Sequence, residues 1–244
     1  MLRAIVFDFD GVIANSEPLH FRAFREVLAR RGVELTEPDY YTRYLGFDDL
    51  GAFRAIAKDR GRTWSAAELT SLTADKAERM EALERGASVL FPGAADAIRR
   101  AAAAAPIAIA SGALGAEIRR VLDGANLTHH FKAIVAAEDT AAGKPAPDPY
   151  QRAVALLSES VGDAVLAADC VAIEDSRWGL ASARGAGLRC VGVTNSYSAS
   201  ELPGAELVVD GLKDLTVARL EQLVADKAVG RVPRSGPGMS EAGA

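Results

Sequence analysis

The sequence predicts an α/β protein: a Rossmann-like parallel sheet core with an inserted helical domain. Three observations predict it. Short apolar runs alternate with helix-like segments along most of the 244 residues, the pattern of a parallel sheet covered on both faces. The alternation stops once, between Ser16 and Ser88, where helical patterns follow one another without a strand. Polar and acidic residues recur just beyond the apolar runs, where open α/β sheets bind ligands.

Taken in order, the strand-like runs are Ile5–Phe9, Ile107–Ala110, Ala133–Val135, Val171–Ile173, Cys190–Val193 and Leu207–Val209. Helix-like segments between the later runs include Ala94–Ala105, Ala116–Leu122 and Trp178–Arg184. Pro106 stops the alanine-rich helix before the second run, because proline cannot donate to a helix. Gly185-Ala186-Gly187 closes a helix and turns the chain into the next strand. The insert reads as helices over Pro18–Arg31, Asp48–Asp59 and Ser65–Arg85. The tail after Lys227 is rich in Gly, Pro and Ser, lacks an apolar period and reads as disordered. The expected division is a core of residues 1–15 and 89–226, a helical domain of 16–88, and a tail of 227–244.

The formal net charge of −5 does not favour nucleic-acid binding, so an anionic substrate needs local basic residues. No stretch is apolar enough for a transmembrane helix. The chain runs directly into its first strand, so no signal peptide is expected, and the cytoplasm is the expected location. Cys170 and Cys190 fall in or beside apolar runs and read as buried, reduced thiols. His129-His130 has no third ligand nearby in the sequence to make a metal site.

Asp8 and Asp10 carry the most information. Two carboxylates two residues apart on an extended chain point the same way, and two close anions need a cation between them. Ser111, Lys144 and the pair Glu174-Asp175 follow, at or near the ends of later runs. Together they read as a magnesium-assisted phosphoryl-transfer site. A phosphate monoester repels an attacking carboxylate, and Mg²⁺ relieves that repulsion and orients the attack. Asp8 and Asp175 offer oxygen ligands, with a backbone carbonyl and waters completing the shell. Ser111-Gly112 offers a hydroxyl and backbone N–H groups to phosphoryl oxygens, and Lys144 a compact positive charge.

The segments Asp8-Phe9-Asp10-Gly11-Val12-Ile13, Ala110-Ser111-Gly112, Gly143-Lys144-Pro145 and Ile173-Glu174-Asp175-Ser176 resemble the four ordered motifs of the haloacid dehalogenase-like superfamily. Asn15-Ser16-Glu17-Pro18-Leu19-His20 and the helical insert resemble its branch with a helical C1 cap, which includes β-phosphoglucomutase and many small-molecule phosphatases. The resemblance implies that Asp8 is a nucleophile that becomes an aspartyl phosphate. It implies that Asp10 is the general acid/base and lends Mg²⁺ its backbone carbonyl. Ser111 and Lys144 would hold the phosphoryl group, and Asp175 would ligate Mg²⁺ with Glu174 assisting. His20 and Lys76 resemble polar cap positions of the mutase.

One departure bears on the reaction. Where the mutase has a cap arginine for a second phosphate, this chain reads Leu45-Gly46-Phe47-Asp48-Asp49. Acidic residues there repel a second phosphate, although Arg43 and Arg54 flank the stretch. The expected function is therefore a Mg²⁺-dependent phosphatase of a small phosphate ester, such as a sugar phosphate or phosphoglycolate-like metabolite. The alternatives are a sugar phosphomutase and a non-catalytic binding module, against which the intact nucleophile argues. No nucleic-acid or membrane partner is expected, and the sequence does not decide between monomer and dimer.

Overall fold

The computed structural model describes residues 1–45, 47–84 and 89–229; most of the tail and the end of the insert at 85–88 lie outside the described residues. Six strands form one parallel sheet in the order β3-β2-β1-β4-β5-β6. They are β1 Ala4–Phe7, β2 Ile107–Ala110, β3 Phe131–Val135, β4 Cys170–Glu174, β5 Arg189–Val193 and β6 Leu207–Val209. The helices are α1 Glu17–Ala29, α2 Glu37–Asp39, α3 Asp49–Asp59, α4 Ala66–Glu84, α5 Ala94–Ala104, α6 Gly115–Gly124, α7 Asp148–Val161, α8 Arg177–Gly185 and α9 Val217–Val229. A π-helical turn over Tyr40–Tyr44 joins α2 to α3; the sequence reading had no element there. The α9 helix runs to Val229, past the expected start of the tail at residue 227.

The strand period of two sorts large from small side chains. Ile5, Phe7, Ile107, Ile109, Val171 and Ile173 face one side, packed with Ile98 of α5, Ile118 and Leu122 of α6, and Leu220 and Val224 of α9. Ala4, Val6, Ala108, Ala110, Cys170 and Ala172 face the other, against Tyr150 and Leu157 of α7 and Leu180 and Ala183 of α8. Alanines on this face let the two helices approach the sheet closely. Cys170 and Cys190 are buried and unbridged, as read from their apolar settings. Central strand β1 is wholly buried. Each of its large apolar side chains contributes on the order of 1.5–3 kcal/mol of transfer free energy.

The described residues between 17 and 84 contribute helices and no strand to the fold. Phe21, Phe24, Tyr40, Phe53, Ile56, Leu69 and Leu72 gather into a hydrophobic cluster of their own. The two chain crossings into this unit are tied to each other. Asn15 N donates to Val89 O at 2.6 Å and Phe91 N to Ile13 O at 3.0 Å, around an antiparallel bridge between Ala14 and Leu90.

Candidate active site

The sheet order places β1 between β2 and β4, so whatever follows β1 has neighbours from both. Phe7 is in register with Ile109 on one side and Ile173 on the other. Asp8, directly after β1, therefore meets Glu174 at the end of β4 and Asp175 just beyond it. Carboxylate oxygens of Asp8, Glu174 and Asp175 all lie within 4.8 Å of one another, and all three residues are buried. Lys144, in the loop before α7, completes the cluster: its Nζ is 2.8 Å from Asp8 Oδ1 and 2.6 Å from Glu174 Oε1. Tyr150 Oη donates to the same Glu174 oxygen at 2.7 Å, and Ser176 Oγ to the other at 3.2 Å. Ser196 Oγ donates to Asp175 Oδ2 in a short hydrogen bond.

Three carboxylates against one ammonium leave an excess of negative charge in a buried place. Burial, then Glu174, push the Asp8 carboxyl well above its usual range, with Lys144 pulling the other way. Burial and Glu174 push Asp175 to about 7, against the Ser196 hydrogen bond. Burial lowers the Lys144 pKa, but Asp8 and Glu174 more than offset it and hold the ammonium charged. Burial also raises the Tyr150 phenol, and Glu174 and Asp8 raise it further, so it stays a donor. Such a set of oxygen donors fits a hard divalent cation, which neutralises what one lysine cannot.

Asp10 departs from expectation. The strand ends at Phe7, so the alternation that would align its side chain with Asp8 stops before reaching it. The Asp10 carboxylate lies outside the trio; it accepts a short hydrogen bond from Ser16 Oγ and sits near His20 and Glu117. Burial, partly offset by His20, raises its pKa to about 6. The turn Asp8–Gly11 depends on Gly11. Its φ is +76°, and a Cβ there would lie 1.8 Å from Asp175 Oδ2. Asn195 Nδ2 donates to Gly11 O at 2.7 Å, pinning this turn to the end of β5.

Ser111 follows β2 and is buried. Its Oγ accepts from Ala113 N at 3.0 Å, and its own N–H donates to Val135 O. Gly112 adjoins it in the open turn before α6. His20 and Lys76 sit together in the insert. Lys76, 2% exposed, contacts His20 Nδ1 at 2.7 Å and Asp49 Oδ1 at 2.8 Å. His20 Nε2 lies 3.3 Å from Glu117 Oε1 of α6. Asp48 caps α3, its Oδ1 accepting from Gly51 N. Arg43 is paired with Asp59 at 2.7 Å. So the acidic stretch is not the bare negative patch expected from sequence: Lys76 neutralises Asp49, and Arg43 is turned to Asp59 instead.

Sequence reasoning missed Tyr150, Ser196, Asn195, Ser16 and Glu117. The strand-end rule that found Glu174-Asp175 also marks Thr194-Asn195-Ser196 after β5, so that signal was present. Tyr150 reads as an ordinary apolar helix residue, and Glu117 as an ordinary first-turn acid.

The fold and this cluster define a hydrolase class, and comparison with known proteins agrees. The family model of haloacid dehalogenase-like hydrolases matches residues 2–187. The chain belongs to that family. It is 36% identical over 208 residues to the protein CbbY of Rhodobacter capsulatus, covering 81% of this chain and 87% of the relative. It is 28% identical to the fructose-1-phosphate phosphatase YqaB of Escherichia coli, over 78% of this chain and 95% of that one. Among solved structures, CbbY from Rhodobacter sphaeroides in complex with xylulose-(1,5)bisphosphate superposes with a TM-score of 0.80 at 29% identity, covering 91% of this chain and 100% of that one. Among the described residues, no helix is long and apolar enough to cross a membrane.

Proposed function

We propose that this chain is a Mg²⁺-dependent phosphatase that hydrolyses a small phosphorylated metabolite through an aspartyl phosphate. The observation that carries this reading is the Asp8 carboxylate 2.8 Å from Lys144 Nζ, inside a buried three-carboxylate cluster. A side chain that served only packing would not be held there at such electrostatic cost. The relative named a fructose-1-phosphate phosphatase, and the CbbY structure solved with xylulose-(1,5)bisphosphate, support a sugar phosphate or similar ester as substrate.

Asp8 attacks phosphorus, forming the acyl phosphate bond as the ester P–O bond breaks. Asp10, raised to about 6 by burial, gives its proton to the leaving alkoxide and takes one from the water that attacks the aspartyl phosphate. Phosphate leaves and Asp8 is regenerated. Lys144, Ser111 and the Gly112 N–H hold the phosphoryl oxygens. Asp8, Asp175 and the Asp10 carbonyl, with Glu174 supporting, would hold Mg²⁺, which supplies charge neutralisation between the anionic nucleophile and the dianionic ester. The helical unit 16–88 acts as a cap that excludes water and folded proteins, which favours a small substrate. Arg43 and Lys76 are both committed to carboxylates, so neither is free to grip a second phosphate as a bisphosphate-cycling mutase needs.

Free phosphate released from a panel of sugar phosphates, with Mg²⁺ and with EDTA, tests the reading. Stoichiometric release supports it; isomerised sugar phosphate with little free phosphate overturns it in favour of a mutase.

A further inference from the structure

The contact between His20 and Glu117 crosses from the helical insert to the sheet-bearing part of the fold. His20 belongs to α1 and Glu117 to α6. Their side chains are 15% and 13% exposed, with Nε2 and Oε1 3.3 Å apart. Both atoms are buried from solvent and neither meets hydrogen-bond geometry with any partner, so a close polar approach, not a formed hydrogen bond, joins them.

The opposite ring nitrogen decides where the proton is. Lys76 Nζ lies 2.7 Å from His20 Nδ1 and 2.8 Å from Asp49 Oδ1. An ammonium has protons to give and no lone pair, so Nδ1 must accept. The ring proton then sits on Nε2, facing Glu117. Burial and Lys76 lower the His20 pKa, but Glu117 and Asp10 more than offset them, for a net upward shift. A second ring proton would nonetheless have to displace the Lys76 donor, so the observed pairing is that of the neutral ring. The result is a line of contacts, with Lys76 donating to both Asp49 and His20 and His20 turned toward Glu117, running across the seam. Asp10 stands beside its end, within the electrostatic reach of both His20 and Glu117.

We infer that Glu117 is a positioning residue for the phosphatase reaction: from across the seam it holds the His20 ring in its orientation beside Asp10. The inference rests on the phosphatase reading. The rival role is local, since an acid in the first turn of α6 also favours the helix dipole. The two roles separate by chemistry. Glutamine removes the charge that a helix dipole needs but keeps an oxygen that accepts from Nε2–H; alanine removes both.

The test uses Glu117→Ala and Glu117→Gln in the full-length chain, with two independent readouts. The first is kcat and KM for phosphate release from a sugar monophosphate. Loss of orientation beside the acid/base is expected to lower kcat of the alanine variant about 10–100-fold with KM changed by less than about threefold. The glutamine variant should recover to within about fivefold of the parent. The second is the long-range ¹H–¹⁵N spectrum of the His20 imidazole, which reports the surroundings of Nε2 with no substrate present. The Lys76 donor keeps the Nε2–H form in all three proteins, and the Nε2 shift is expected to move in the alanine variant and to stay near the parent's in the glutamine variant. An unchanged His20 spectrum in Glu117→Ala would overturn the inference, as would a glutamine variant as impaired as alanine. A parent that releases no phosphate, with the Nε2 shift moved in the alanine variant alone, would overturn the functional reading and the catalytic half of this inference, while leaving the positioning of His20 by Glu117 standing.

Discussion

Gly179 lies against Glu174 so closely that a Cβ on it would come within 1.9 Å of the Glu174 carboxylate. Gly179 is in the first turn of α8, its N–H bonded to Ser176 Oγ at 3.1 Å. The helix begins where it does because its missing side chain leaves space for a carboxylate that Lys144 and Tyr150 both hold.

Alanine is ordinarily better than glycine in a helix by about 1 kcal/mol. At position 179 the sign should reverse. Gly179→Ala is expected to lower stability by about 1–3 kcal/mol through overpacking and to reduce activity by displacing Glu174. Urea unfolding of the variant checks this. A midpoint equal to or above the parent's would mean that Glu174 can move aside freely.

Asp8→Asn should abolish turnover while leaving the far-ultraviolet circular dichroism spectrum intact. Asparagine keeps the size but is a very poor nucleophile, and losing a covalent route costs several kcal/mol of barrier. Activity within about tenfold of the parent would exclude Asp8 as the nucleophile.

Metal removal should act on stability as well as on rate. Asp175 titrates at about 7 in the fold, against about 4 in an unfolded chain. Between those values the folded protein binds more protons than the unfolded one, so stability falls as pH rises through this window. A divalent cation relieves the same repulsion without a proton. In EDTA the protein should therefore lose stability from pH 5 to pH 7.5, roughly across that window, and added Mg²⁺ should restore more at the higher pH. Thermal unfolding at both pH values, with and without Mg²⁺, measures it. Equal stabilisation at both would show that the carboxylates do not share the cation.

The architecture was legible because strand burial writes itself locally. Ile107–Ala110 and Leu207–Val209 emerge as read, and the three long helices of the insert fall within a residue or two of their apolar patterns. Asp8, Lys144, Glu174 and Asp175 were legible for a related reason. Strand ends in a parallel sheet converge, which brings Asp8, Glu174 and Asp175 together, and Lys144 comes from the loop that follows β3. The direction of the Asp10 side chain was not legible, because alternation holds only while the strand lasts, and β1 ends at Phe7. The ion pairs of the insert were illegible. Asp49 with Lys76 and His20 with Glu117 depend on how helices dock, which no local pattern encodes. Gly46 and Ser88, the latter the expected end of the helical domain, lie outside the described residues.

That docking changes what the cap discriminates. Asp49 occupies the stretch where sequence alone suggested plain repulsion, but Lys76, buried and 2.8 Å away, cancels its charge. A second phosphate on the substrate would find Lys76 already engaged by Asp49 and His20. Binding it would require breaking that pair, and Glu117 adds a further negative charge nearby. The parent enzyme should therefore favour monophosphates over bisphosphates of the same sugar. Asp49→Asn keeps the side-chain volume but releases the Lys76 charge, so the preference should move toward the bisphosphate by about tenfold, the size of one well-placed charge interaction of roughly 1.4 kcal/mol. The measurement is the ratio of kcat/KM for a hexose monophosphate and its bisphosphate, in both proteins. Because Lys144 and Ser111 grip the group both esters share, Ser111→Ala should lower both rates and leave the ratio unmoved. A ratio that shifts with Ser111 and stays constant with Asp49 would place selectivity in the sheet-end loops instead of the helical insert.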